Sequence, residues 1–171
     1  MEPLNYHRPM AEEPVAAGPR QLAEGVEIRP ALTEEIEEML PLIRAYCEFY
    51  ETVPNDDGIR TMFETLITDP GQGAVFIARD GGRAVGFATL DWKWSSLKGA
   101  RIGYLEDLFV DPEARGRGIA DALIEVCAAR CRELGMPAMS WLTAPDNRRA
   151  QQVYDRTGAQ AEAYLEYDLE L

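Results

Sequence analysis

Apolar positions recur along this chain at two periods, and the switches between them mark its elements. Val26 to Pro30 reads as a short strand. Ile36, Met39, Leu40, Ile43, Cys47 and Tyr50 follow at helical spacing. Thr33 is placed to cap that helix, with Glu34 and Glu35 in its first turn, where carboxylates complement the helix dipole. A second helix, about Asp57 to Ile67, carries Met62, Phe63 and Leu66 and stops before Pro70.

Two apolar runs come next, Ala74 to Arg79 and Arg83 to Trp92, separated by Asp80-Gly81-Gly82, which signals a hairpin. Ile102 to Val110 is a third long strand. A helix from about Arg117 to Leu134 has Ile119, Leu123, Cys127, Cys131 and Leu134 on one face and ends at Gly135 and Pro137. Met139 to Leu142 is a strand, and Asn147 to Thr157 a short helix closed by Gly158. Gln160 to Leu169 is a last strand, with Ala161, Ala163, Leu165, Tyr167 and Leu169 on one side. The order β-α-α-β-β-β-α-β-α-β predicts an α/β (α+β) fold, a mixed sheet with helices on both faces. Residues 1–24 hold Pro3, Pro9, Pro14 and Pro19 among acidic residues and read as a flexible N-terminal arm, which leaves 25–171 as one domain.

Composition narrows the classes. The chain has 171 residues, 46% hydrophobic and 27% charged, as an ordinary globular domain has. No apolar run approaches the ~18 residues of a membrane span. No basic stretch followed by an apolar one opens the chain, so a cytoplasmic location is expected. A net charge of −13 argues against nucleic acid and anionic membrane as partners. It suits a cationic substrate, and it equally suits plain solubility. Three cysteines, Cys47, Cys127 and Cys131, are an odd, low count that fits a reducing compartment. Cys127 and Cys131 share a helix face and read as core packing. The only histidine, His7, lies in the arm, and no metal site is expected.

The stretch Val110-Asp111-Pro112-Glu113-Ala114-Arg115-Gly116-Arg117-Gly118-Ile119-Ala120 carries the candidate chemistry. A strand feeds a Pro turn, a Gly-rich basic loop and a helix, so backbone N–H groups at the helix start can seat a phosphate. A P-loop would need Lys and Ser or Thr where Ile119 and Ala120 stand. A dinucleotide fingerprint would need Gly or Ala where Asp121 stands, and it would follow the first strand.

Arg115-Gly116-Arg117-Gly118-Ile119-Ala120 resembles instead the Q/R-x-x-G-x-G/A loop of the GCN5-related N-acetyltransferases (GNAT family). Tyr104-Leu105-Glu106-Asp107-Leu108-Phe109-Val110-Asp111-Pro112 is similar to the family's fourth strand. Asn147-Arg148-Arg149-Ala150-Gln151-Gln152-Val153-Tyr154, with Gly158-Ala159 after it, is similar to its N-x-x-A-x-x-x-Y-x-x-x-G-F segment. The likeness runs from about residue 26 to 169. Within the family it leans, more loosely, to the acetyltransferases of polyamines and small basic proteins, on Cys47-Glu48-Phe49-Tyr50-Glu51, Tyr104-Leu105-Glu106-Asp107, and Trp141-Leu142-Thr143 with Asn147-Arg148-Arg149-Ala150-Gln151. Ala120 and Ala159 depart from the usual Gly and Phe.

The resemblance implies the GNAT fold, with a mostly antiparallel sheet, and acetyl-CoA as cosubstrate without a metal. It implies direct transfer of an acetyl group to a primary amine, in a family that is often homodimeric. The cofactor would be held by Leu108, Phe109, Val110, Arg115, Gly116, Arg117, Gly118, Ile119, Ala120, Asp121 and Asn147. Leu108 and Val110 would offer backbone groups to the pantetheine arm as an added strand would. Gly116 and Gly118 would let backbone approach the pyrophosphate. Tyr154 is the expected general acid and Glu106 the expected base, with Asp107 beside it. Tyr50, Glu51, Trp92 and Trp94, with Asp107, would form an aromatic and acidic wall for an alkylammonium acceptor. Polyamines, basic peptides, aminoglycosides and amino acids all remain open as acceptors. So do a non-catalytic acyl-CoA-binding module and an interaction protein that uses the Trp92/Trp94 face.

Overall fold

The computed structural model describes residues 18–167 and Leu169. Most of the expected arm, residues 1–17 with His7, lies outside them. Strand β1 (Val26–Pro30) leads to a single 3-10 turn (Thr33–Glu35) and helices α1 (Ile36–Phe49) and α2 (Asp56–Thr68). Strands β2 (Gly73–Asp80), β3 (Arg83–Ser95) and β4 (Ala100–Val110) form a meander. A 3-10 turn (Pro112–Ala114), helix α3 (Ile119–Glu133), strand β5 (Met139–Ser140) and helix α4 (Arg148–Asp155) follow.

The sheet order is β1-β2-β3-β4-β5; the first four strands are antiparallel and β5 runs parallel to β4. Side chains alternate across it, as strand geometry requires. Val75 and Ile77 enter one core with Met39, Ile43 and Phe63 of α1 and α2. Phe76 and Ala78 enter the other with Leu123, Cys127 and Cys131 of α3. Burial on both faces explains why β3 reads as an unbroken apolar run. Cys127 and Cys131 are buried, as the helix face predicted. A side chain on Gly103 would meet Cys131 Sγ at 2.3 Å, so glycine there lets α3 lie close on β4.

Four expectations change. Thr33 does not cap the first helical segment: it is the first residue of the 3-10 turn, and the Leu32 N–H donates instead to Glu35 Oε2 at 2.9 Å. Glu35 also accepts from Arg29 and Arg79, and these partners hold its carboxyl down at about 2 against the cost of burial. Met62 and Leu134 face solvent rather than core. β5 has two residues, not four. Among the described residues of Gln160–Leu169 there is no strand, and Tyr164, Leu165, Tyr167 and Leu169 are exposed. Apolar alternation becomes a strand only beside a partner that takes its hydrogen bonds. The two-residue β5 offers little edge for that.

Candidate active site

β4 parts from β5 after one short contact. Only Gly103 and Tyr104 pair with β5, at Met139 and Ser140, so among the described residues no strand pairs with the outer edge of β4 from Leu105 onward. The Asp107 N–H turns to Thr89 of β3 and the Asp111 N–H to Val85. By alternation the main-chain groups of Leu108 and Val110 point the other way, toward the open edge. Arg115 Nε takes the Val110 carbonyl at 2.9 Å. The Phe109 main chain faces β3, and its ring packs against Phe87 and Tyr46. These residues and the loop after β4 line a cavity of about 840 Å³.

The phosphate loop supplies the cavity floor through Arg115, Gly116 and Gly118 and the first residues of α3, Ile119, Ala120 and Asp121. Gly116 has φ +80°, and nothing lies within 4 Å of where a side chain would begin. It fits the close approach of a ligand. Gly118 has φ +75° and a different reason to be glycine. A side chain there would meet Gln21 O at 2.3 Å and Arg20 O at 3.1 Å. Residues 20–23 lie across the loop: Ala23 N–H donates to Arg117 O at 3.0 Å, and Leu22 packs on the core.

The loop's two arginines have separate fates. The Arg117 guanidinium ion-pairs with Asp80 at the end of β2, with Nη2 to Oδ1 at 3.2 Å, and Arg117 does not line the cavity. Arg115 does, over the Phe109 ring, and its pKa is lowered by burial and by neighbouring Arg149. The Asp121 carboxylate is also taken: Arg156 binds both its oxygens at 2.9 Å. Only its main chain can serve a ligand. Asn147 caps α4, accepting from Ala150 N–H at 3.2 Å, and borders the cavity as well.

Tyr154 projects from α4 into the cavity wall, its ring 5.4 Å from that of Trp141. Burial and nearby Tyr50 push its phenol up to about 12, so it holds its proton throughout the neutral range. Tyr46, Phe49 and Tyr50, from the end of α1, face it across the cavity.

The carboxylates lie where β4 bulges. Thr89 pairs with Asp107 and Leu90 with Leu105, which leaves Glu106 as the extra residue. The bulge turns Asp107 toward α1: Thr89 Oγ1 and Oδ2 lie 2.6 Å apart, and Tyr46 also bonds this carboxyl. Burial raises Asp107 despite those bonds. Burial, then Asp107, Asp91 and Glu166, raise Glu106. Asp91 is raised by burial and by Asp107. Neither Glu106 nor Asp107 lines the cavity itself; Tyr46 joins Asp107 to it.

The expected aromatic wall comes apart. Tyr50 is in place. Trp92 is a core residue whose Nε1–H donates to Pro70 O at 2.9 Å, while Trp94 is exposed. Glu51, at φ +56° beyond α1, lies outside the cavity lining. Arg20, Arg149 and Arg156 line the cavity without having been predicted. Arg149 was legible as a basic residue in the first turn of α4; the other two had no local signal.

The geometry fits a CoA thioester: an open strand edge for an amide-bearing arm, a glycine loop with bare backbone, and arginines at the mouth. Among the described residues no group of three His, Cys, Asp or Glu could hold a metal ion. No helix among them is long and apolar enough to cross a membrane.

Residues 36–159 match the Acetyltransferase (GNAT) family. A D-amino-acid N-acetyltransferase of Saccharomyces cerevisiae is 33% identical over 72% of this chain and 78% of its own. An uncharacterized N-acetyltransferase of Bacillus subtilis is 29% identical over 78% of this chain and 89% of its own. A solved aminoglycoside N-acetyltransferase in complex with CoA superposes with TM-score 0.74 at 26% identity, covering 85% of this chain and 95% of that one. With an open β4 edge, a glycine loop and a tyrosine on α4 in one cavity, this chain belongs to the GNAT family and is an acetyl-CoA-dependent acetyltransferase.

Proposed function

We propose that this protein transfers an acetyl group directly from acetyl-CoA to a primary amine of a cationic acceptor, such as a polyamine or a lysine side chain. The observation that carries this reading is the grouping of Asp91 on β3 with Glu106 and Asp107 at the β4 bulge: burial raises all three, and Asp107 adds to the rise of the other two. Clustered carboxylates beside Tyr46 and Tyr50 attract an alkylammonium and repel an anion.

Acetyl-CoA supplies an activated acyl group. Arg115, Arg149 and the bare backbone at Gly116 bind its phosphates. Leu108 and Val110 hold its arm along β4, and an outward N–H there stabilises charge on the thioester oxygen. A primary amine is mostly protonated at neutral pH, near ~10.4, so a base must free its lone pair. Glu106 takes that proton. Thr89 and Tyr46 already occupy Asp107, which orients the cation, whereas Glu106 is exposed and its pKa is displaced toward neutrality. The amine nitrogen bonds to the acyl carbon as the carbon–sulfur bond breaks. Tyr154 donates its proton to the departing sulfur and regains one from solvent. Cys127 and Cys131 are buried under α3 and Cys47 lies outside the cavity lining, which supports direct transfer over an acetyl-enzyme.

Free cysteines support a reducing, cytoplasmic setting. The exposed Tyr164, Leu165, Tyr167 and Leu169 support a homodimer, which native mass spectrometry tests. An acetyl-CoA consumption assay over polyamines, basic peptides, aminoglycosides and D-amino acids tests the acceptor class. Polyamines or basic peptides are expected to lead, and preference for amino-acid α-amines would overturn the reading.

A further inference from the structure

Helix α4 has eight residues, none of them buried, yet it carries Tyr154. Val153 and Tyr154 pack on the core from one side of it, and one ion pair clamps its end. Arg156 Nε donates to Asp121 Oδ1 and Arg156 Nη2 to Oδ2, both at 2.9 Å, with the two side chains 14% and 3% exposed. Arg156 Nη1 turns back to Gln152 O at 2.5 Å, which makes the guanidinium continuous with the last turn of α4. Asp121 Oδ1 also accepts the Arg20 N–H at 3.1 Å. Burial works against this carboxyl, but Arg156 and the Arg20 amide outweigh it and hold it ionised.

We propose that Asp121 and Arg156 are a positioning pair for acetyl transfer, which docks the helix of Tyr154 on the first turn of α3 and, through the same carboxylate, straps residues 20–23 across the phosphate loop. The inference rests on the reading of Tyr154 as proton donor to sulfur. An apolar pair of similar volume would hold two helices together about as well. It would not set one angular position, and two parallel N–H···O bonds do. Tyr154 is two positions from Arg156, so rotation or sliding at the pair moves the phenol. A displacement of about 1 Å at a reacting group can cost about 10²-fold in rate. The strap rides on the same clip: Arg20 N–H on Asp121, Gln21 O against Gly118, and Ala23 N–H on Arg117 O. The floor of the donor site and the helix bearing the acid therefore share one buried carboxylate.

The test uses the full chain and Arg156→Gln, Arg156→Lys, Arg156→Ala, Asp121→Asn and Tyr154→Phe. The readouts are kcat, the KM for acetyl-CoA, CoA affinity by calorimetry, and amide hydrogen exchange of the ligand-free protein. Arg156→Gln should lower kcat at least about tenfold and speed exchange across α4. Asp121→Asn should do the same, speed exchange at Ala23 and weaken CoA binding. Methylguanidine should restore turnover to Arg156→Ala and not to Tyr154→Phe. If Arg156→Gln does not fold, Arg156→Lys, which keeps the charge and loses the paired bonds, should show an intermediate loss of kcat. Wild-type kcat in a folded Arg156→Gln or Arg156→Lys protein, or unchanged exchange in α4, would overturn the proposal. Full turnover by Tyr154→Phe would sink the proton-donor reading instead, and a kcat loss with faster α4 exchange in Arg156→Gln would still support the pair.

Discussion

The donor side of the cavity and its acceptor side are built on different physics. On the donor side the work falls to main chain: the outward groups of Leu108 and Val110, the bare backbone at Gly116, the start of α3. Its side chains are largely spent on fixing that backbone. Arg117 ties the loop to Asp80, Arg115 caps the Val110 carbonyl, and Asp121 anchors Arg156 and residue 20. On the proposed acceptor side the candidate chemistry sits in side chains from three separate elements: Tyr46 and Tyr50 at the end of α1, with Asp91 of β3 and Glu106 and Asp107 of β4 behind the cavity lining. A site made of backbone tolerates many sequences and accepts one kind of ligand. A site made of scattered side chains changes its ligand whenever one of them changes.

Tyr154 stands between the two sides, and its loss should be the largest effect. If Tyr154 is the proposed proton donor to sulfur, Tyr154→Phe should lower kcat by about 10²–10⁴-fold, with CoA affinity nearly unchanged; steady-state rates and calorimetry separate the two. Next is Glu106→Gln, with about 10²-fold lost from kcat/KM at neutral pH. The active form of Glu106 is the carboxylate and its pKa is raised, so wild-type rate should climb with pH through a value above the ordinary carboxylate range. In Glu106→Gln that acid limb should vanish from the pH profile. If the limb persists, another group is the base.

The glycines probe the donor side alone. Gly118→Ala places a methyl group against Gln21 O at a positive φ, and should weaken CoA binding about tenfold while lowering the melting temperature. Gly116→Ala meets open space in the ligand-free protein, so in a thermal melt it should cost only the positive-φ penalty, about 1 kcal/mol, while CoA binding weakens as the methyl group blocks the phosphates. Equal losses of melting temperature at the two positions would mean that the strap does not seat on Gly118. The smallest effect belongs to Trp94→Ala, within about 0.5 kcal/mol in stability and without change in kcat/KM. A large loss there would return Trp94 to the acceptor site.

Elements with strong periodicity were legible: α1, α2, α3 and the meander lie close to where apolar spacing put them, because each buries the face it advertises. The phosphate loop was legible as local backbone chemistry. What failed depended on partners distant in the chain. Trp92 and Trp94 look alike in sequence, and packing in the α3-side core, with the Nε1–H bond to Pro70 O, makes only the first of them core. Arg117 looks like a phosphate ligand until Asp80 is seen beside it. Asp121 reads as a residue that holds the cofactor after the glycine loop, and nothing nearby announces Arg156. The apolar alternation of Gln160–Leu169 predicted a strand without a neighbour to hold it.

As proposed, side-chain carboxylates choose the acceptor while backbone holds the donor. The direct measurement is kcat/KM for a linear diamine against the amino-alcohol of the same length, in wild type and in Asp107→Asn. At least a tenfold preference for the diamine is expected, worn away by salt and by Asp107→Asn, with the KM for acetyl-CoA unmoved. Equal kcat/KM for the two acceptors in wild type would contradict it.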